Sequence, residues 1–146
     1  VNSAELLGTD EDLPAYIAMQ SKIPSAIAIE AIAPDGYNGA IKLIIGIDNE
    51  NNVLGVRTLV HKETPGLGDK IELRKSDWVS YFTGQQWTKD DPSWKVKKDG
   101  GQFDQFTGAT ITPRAYVKAI NNAVAFVDAN RNTLYQSSRR CGESHE

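Results

Sequence analysis

The pattern of apolar and polar positions changes character three times along the chain. Ser25 to Ala33 alternates small and β-branched residues and predicts a strand. Ile41 to Ile47 is a short apolar run, and Val53 to Val60 alternates through Val53, Leu54, Val56, Leu59 and Val60. The polar stretch Asp48-Asn49-Glu50-Asn51-Asn52 between them has a common hairpin-loop length, so the two runs are expected to pair antiparallel. The period then shifts. Val117, Ile120, Val124 and Val127 recur at spacings of three and four, the stripe of a half-buried helix. With Thr112 as N-cap and Pro113 at the first helical position, that helix is expected to run to about Asn130.

Weaker signals fill the remainder. Asp12 to Gln20, with Asp12 as N-cap and Pro14 in the first turn, reads as a short helix. Ile71 and Leu73 suggest a short strand. Ser76 to Thr83 suggests one or two helical turns capped by Ser76 and stopped by Gly84, with Trp78 and Phe82 facing the core together. Trp94 and Val96, alternating with lysines, suggest an edge strand broken by Asp99-Gly100-Gly101. Five or six strands and two or three helices make an α+β domain: an antiparallel β-sheet packed with a few helices.

The 146 residues suit a single domain, and 40% apolar content supplies a sizeable core. Nineteen acids against sixteen bases leave a net charge of −3, which argues against a nucleic-acid binder and against docking on anionic lipid. Apolar runs reach about five residues, as in Ala123 to Val127, far short of the roughly 20 a membrane helix needs. The single cysteine, Cys141, excludes an internal disulfide, and His61 and His145 lie far apart, so no metal site is expected.

Two loops are placed to carry chemistry. Asp104-Gln105-Phe106-Thr107-Gly108-Ala109-Thr110 leads into the long helix, whose start favours anions. It is either a phosphate cradle or a loop whose Gly and Thr serve capping alone, and capping is the commoner case. His61-Lys62-Glu63-Thr64-Pro65-Gly66-Leu67-Gly68 follows the hairpin, with Pro65-Gly66 suited to the centre of a type II turn. It can present N–H groups to a planar ligand or be an ordinary surface turn. His61 and Glu63 are an acid/base candidate with no nucleophile nearby; a solvated pair is commoner.

Taken together and in this order, these loops resemble the FMN-binding domain of the RnfG (RsxG) family of the Rnf electron-transport complex. That family is related to NqrC of the Na+-translocating NADH:quinone reductase (Nqr). Gly36-Tyr37-Asn38-Gly39, the Glu63-Thr64-Pro65-Gly66-Leu67-Gly68 loop and the Asp104-x-x-Thr107-Gly108-Ala109-Thr110 pattern carry the resemblance. It spans about residues 25 to 130, and Asp104 to Arg114 looks closest to the Rnf version.

The resemblance implies FMN bound covalently, through a phosphoester to Thr110, by a separate flavin transferase that uses FAD and a divalent metal. Asp104, Thr107, Gly108, Ala109, Ile111 and Thr112 surround that attachment point. Thr107 and Thr112 are the alternative attachment sites; Thr110 is preferred because the family pattern ends there, and Thr112 is expected to serve as N-cap. The flavin ring is expected near Glu63, Thr64, Gly66, Leu67 and Gly68, with Thr64 and Leu67 as main contacts. His61 is expected either near the ring or fixing the loop. Trp78 is expected in the core, and Trp87, in a polar loop, is the tryptophan with some chance of touching ligand or partner. The organisation implied is an N-terminal segment 1–24, an FMN-binding domain 25–130 and a polar tail 131–146, read as disordered.

Family members carry one N-terminal transmembrane helix, absent from this chain, so the resemblance implies a soluble domain on the periplasmic face of the bacterial inner membrane. Its function is then that of an electron-transfer unit of a membrane-bound ion-translocating oxidoreductase complex, with no catalytic residue of its own and little turnover in isolation. Its partners are the other subunits and the transferase. The alternatives are a flavin-free partner-binding or assembly module, or the equivalent NqrC of an Nqr complex. A hydrolase built on His61 and Glu63 ranks last.

Overall fold

The computed structural model describes residue 3 and residues 5–145, with side chains through residue 136. Four strands form one antiparallel sheet in sequence order: β1 (Ala15–Gln20), β2 (Ile23–Ala33), β3 (Ile41–Asp48) and β4 (Val53–Val60). One long helix, α1 (Ile111–His145), packs across β2 and β3. The expected α+β class and the β3–β4 hairpin are both present, but the described residues hold four strands, one α-helix and three short 3-10 turns.

The register explains the core. Ile27, Ile29, Ala31 and Ala33 of β2 pair with Ile47, Ile45, Leu43 and Ile41 of β3, and all eight are buried on one face. The helical stripe Val117, Ile120, Val124 and Val127 lies against that face, fully removed from water. Tyr116 adds a polar link. The Thr58 hydroxyl donates to Ile71 O at 2.7 Å, so the Tyr116 hydroxyl donates to Thr58 Oγ1 at 3.0 Å. Burial pushes the Tyr116 phenol far above its ordinary range.

Several expectations are corrected. Asp12 to Gln20 is not helical; its last six residues are β1. The β1–β2 turn is Ser21-Lys22, both at positive φ (53° and 66°), as a type I′ hairpin turn requires. Pairing with β2 therefore overrides the cap-like Asp12 and Pro14. Ile71 lies in the 3-10 turn Gly68–Ile71 rather than a strand. Trp94 and Val96 are buried with Lys95 exposed between them and Lys97 exposed after, yet no edge strand forms. The chain folds back at once, with Lys97 N–H donating to Phe103 O at 2.7 Å. A Cβ on Gly101 would sit 1.9 Å from Lys95 O, so this reversal requires glycine. The alternation there reports aromatic rings turned inward from a loop: Trp94, Phe103, Phe82 and Trp78 cluster edge-on or tilted at 4.6 to 5.1 Å. Ser76 accepts from Trp78 N–H at 3.2 Å, and Trp78 and Phe82 share the core as expected, in the 3-10 turn Trp78–Phe82.

Finally, α1 continues past Asn130 to His145. The segment after residue 130 is engaged with the β3–β4 hairpin: Arg131 Nη2 donates to Asp48 O at 3.1 Å and to Asn51 Oδ1, and Tyr135 OH donates to Asn49 Oδ1 at 2.6 Å. The expected disorder of 131–146 therefore does not begin at 131. The side chains of Cys141 and His145 lie outside the described residues. No helix among the described residues is long and apolar enough to cross a membrane.

Candidate functional site

The site is built where two tight turns meet the start of α1. In the first, Thr64-Pro65-Gly66-Leu67, Leu67 N–H donates to Thr64 O at 3.0 Å and Gly66 holds φ +79°, the geometry a type II turn needs at its third position. In the second, Phe106-Thr107-Gly108-Ala109, Ala109 N–H donates to Phe106 O at 3.2 Å with Gly108 at φ +77°. The two turns lie side by side: a Cβ on Gly108 would come within 3.6 Å of Leu67 Cδ2.

A cleft of about 310 Å³ opens between them, at the lower end of the roughly 300–1,000 Å³ usual for small-molecule sites. Thr64, Leu67 and Gly68 line one part of it and Gly108, Ala109 and Thr110 another. Ile111, Thr112 and Tyr37 complete the lining. Thr110 directly precedes α1, and its carbonyl accepts Arg114 N–H at 3.1 Å, the first bond of the helix. It is thus Thr110, not Thr112, that stands at the N-cap position, with its side chain half-buried on the cleft.

Thr112 has a different task. It is 1% exposed and donates its hydroxyl to Glu63 Oε1 at 2.8 Å. The same oxygen accepts Tyr37 N–H at 2.9 Å, and Glu63 Oε2 accepts Asn38 N–H at 2.8 Å. Asn38 Nδ2 also donates to Thr64 Oγ1 at 3.0 Å. Glu63, 4% exposed, is therefore a buried clamp that joins the 36–39 turn, the 63–68 loop and the helix start. It does not line the cleft. Charged acceptors make the stronger hydrogen bonds, and three donors satisfy this one. Gly68 is required beside it, because a Cβ there would lie 2.8 Å from Thr112 Oγ1 and 2.9 Å from Glu63 Cβ.

The other expected residues divide similarly. Asp104 and Thr107 are exposed and off the cleft; Asp104 pairs with Lys97 at 2.7 Å, and its carbonyl accepts Trp78 Nε1–H at 2.8 Å. Gly66 shapes its turn from outside. His61 fixes the loop: its Nδ1 accepts Glu63 N–H at 3.0 Å, and its Nε2 lies 3.4 Å from Glu72 Oε2. With the Glu63 carboxylate committed elsewhere, the His61–Glu63 acid/base pair does not form. Trp87 is buried against α1, donating to Asn121 Oδ1 at 2.6 Å, so it faces neither cleft nor solvent. Tyr37 is the cleft residue to which the sequence alone assigned no role. Its signal was an aromatic side chain between glycines in one of the segments that carried the resemblance. No cluster of three or more metal-binding side chains exists among the described residues.

A sequence profile of the FMN-binding domain matches residues 36–125, which include all three segments that form the site. Relatives are highly similar along the whole chain. The G subunit of the ion-translocating oxidoreductase complex of Shewanella baltica is 62% identical over 97% of this chain and 68% of its own length. Its counterparts in Shewanella oneidensis and Vibrio vulnificus are 58% and 57% identical, over 100% and 99% of this chain and 69% of their own lengths. The crystal structure of Shewanella oneidensis NqrC shares the fold, with a TM-score of 0.60 and 22% identity over 80% of this chain and 58% of that one. The antiparallel sheet and the helix behind it are thus those of a known fold, and the sequence matches place the chain within it: the chain belongs to the FMN-binding domain family, among the RnfG proteins of ion-translocating oxidoreductase complexes.

Proposed function

We propose that this domain is the electron-transfer unit of an Rnf-type ion-translocating oxidoreductase complex, carrying FMN through a phosphoester on Thr110. One observation carries the attachment site. Of the three threonines at 107, 110 and 112, Thr107 is off the cleft and the Thr112 hydroxyl is spent on Glu63. Thr110 lines the cleft, and no protein partner holds its hydroxyl among the described residues. The residues fit the group: an open hydroxyl at a helix start for a phosphate, beside a cleft walled by Leu67, Ile111 and Tyr37 for a planar ring.

The bound flavin supplies the electron-accepting and electron-donating chemistry. The chain's own residues position and shield it. The first turn of α1 offsets phosphate charge next to Thr110. The 64–68 turn holds backbone and the Leu67 side chain at the ring, and the Glu63 clamp keeps that turn and the helix start in fixed relation. No group among the described residues bonds to the Thr110 hydroxyl, a weak nucleophile at neutral pH, so a flavin transferase acts on the 104–110 loop from outside. On this reading the domain works at the periplasmic face of the inner membrane beside the other subunits. A tether serves such a relay because it makes rebinding intramolecular.

The test is intact mass after co-expression with a flavin transferase, followed by peptide mapping. The expected result is a gain of one FMN less one water on the peptide containing Thr110, lost in Thr110→Val. An unmodified mass, with the transferase active on a control target, would overturn the covalent site and leave a non-covalent flavin site or a partner-binding module.

A further inference from the structure

We infer that Tyr37 is the aromatic wall of the flavin site: its ring lies against the isoalloxazine and shields one face from water. This inference rests on the reading above, that the cleft holds a flavin on Thr110. Among the described residues Tyr37 is the one aromatic side chain lining the cleft, and it is 65% exposed. Two further exposed apolar side chains, Leu67 and Ile111, line the same concavity. Scattered exposed apolar residues are ordinary, but three gathered on one cleft leave a surface that a planar ligand would cover.

The ring is free while its backbone is held. Tyr37 N–H and Asn38 N–H each donate to one oxygen of Glu63, and Gly39 N–H closes the turn onto Gly36 O at 3.4 Å. A Cβ on Gly36 would lie 2.2 Å from Gly39 O, so the turn is too tight for another residue there. No hydrogen bond engages the phenol hydroxyl among the described residues. Because the Thr112 hydroxyl shares Glu63 Oε1 with Tyr37 N–H, the backbone beneath the ring is fixed relative to the helix start that bears Thr110. A rigid base under an unattached aromatic ring is what stacking on a second flat ring requires, and offset or edge contacts between rings add to simple burial.

The experiment compares flavin emission of wild type, Tyr37→Phe, Tyr37→Ala and the control Tyr16→Phe. Tyr16 is exposed on β1, away from the cleft. All are co-expressed with the transferase, and loading is measured by intact mass. A phenol in contact with an excited flavin quenches it by lending an electron that then returns; a phenyl ring is a poor donor. Both Tyr37 variants are therefore expected to emit several-fold more per bound flavin, while Tyr16→Phe matches wild type. Iodide is expected to quench Tyr37→Ala more steeply than Tyr37→Phe, because only the alanine uncovers the ring face. Equal emission and equal iodide sensitivity at full loading would overturn the role of Tyr37 and leave the attachment at Thr110 standing. A wild type that takes up no flavin would overturn both.

Discussion

Thr112 and Glu63, 49 residues apart, meet through a buried 2.8 Å hydrogen bond beneath the cleft. The bond decides between two roles for Thr112. A helix cap tolerates aspartate about as well as threonine. A donor to a buried carboxylate does not, because aspartate replaces the donating hydroxyl with a second carboxyl group crowded against the first. Thr112→Asp is therefore expected to lower the melting temperature severely. Thr112→Val should cost about 1–3 kcal/mol, the range for a lost hydrogen bond at a buried charged group, and Thr112→Ser should restore most of it. A Thr112→Asp protein as stable as wild type in thermal unfolding would return Thr112 to a capping role.

Two glycines offer a matched comparison. A Cβ at Gly68 would press on Thr112 Oγ1 and Glu63 Cβ at 2.8 and 2.9 Å, whereas one at Gly55 of β4 would meet nothing within 4 Å. Gly68→Ala is expected to destabilise by about 1–3 kcal/mol, as overpacking does. Gly55→Ala should be neutral or slightly stabilising, since it narrows the unfolded ensemble. Denaturant midpoints of the two variants would test the contrast, and equal midpoints would show that the clamp yields to the added methyl.

The sequence made some of this legible and hid the rest for identifiable reasons. Strands β2 and β4 were readable from their period-two patterns and β3 from a short apolar run, each bounded by turn residues. β1 was not: its turn, Ser21-Lys22, takes positive φ without the Asn or Gly that advertises it, and Asp12 and Pro14 imitate a helix start. The two glycine turns of the cleft were legible as loops, and Pro65-Gly66 was read with its correct turn type. The role of Glu63 was not, because a buried clamp and a ligand contact look alike until the donors from Tyr37, Asn38 and Thr112 converge on it from distant segments. The Trp94–Val96 alternation misled because rings packed inward from a loop produce the same period as a strand.

The end of the helix carries its own prediction. The hydrophobic stripe fades after Val127, which set the expected end near Asn130, but Arg131 and Tyr135 reach the β3–β4 loop through polar contacts that no hydrophobic period reveals. A chain shortened to end at residue 130 is expected to lose stability against one ending at residue 136, by about 1–3 kcal/mol for the hydrogen bonds removed. Arg131→Ala in the full chain should show part of that loss. Identical melting temperatures for both truncations would mean the contacts contribute nothing in solution.

The same loop sets an acid dependence. Burial pushes the Asp48 carboxyl up, but hydrogen bonds from Asn52 and from Glu50 N–H, with the Arg131 charge, outweigh it and hold the group below its ordinary value of 3.8. Asp48 Oδ1 accepts Glu50 N–H and Asn52 N–H, each at 2.9 Å, and Oδ2 accepts Asn52 Nδ2–H at 3.1 Å. A carboxyl depressed in the folded state binds protons more tightly when unfolded. Its stabilisation is therefore complete above the unfolded value, near pH 4, and is lost as pH falls through the lower folded value. Asp48→Asn removes the titration and keeps one acceptor for the loop. Thermal unfolding at pH 5 and pH 3 is expected to show a larger drop in melting temperature for wild type than for Asp48→Asn. The variant should already be less stable than wild type at pH 5. Parallel drops would place the acid sensitivity on other carboxylates, of which Asp99, held low by its hydrogen bonds to Arg114, is the next to replace.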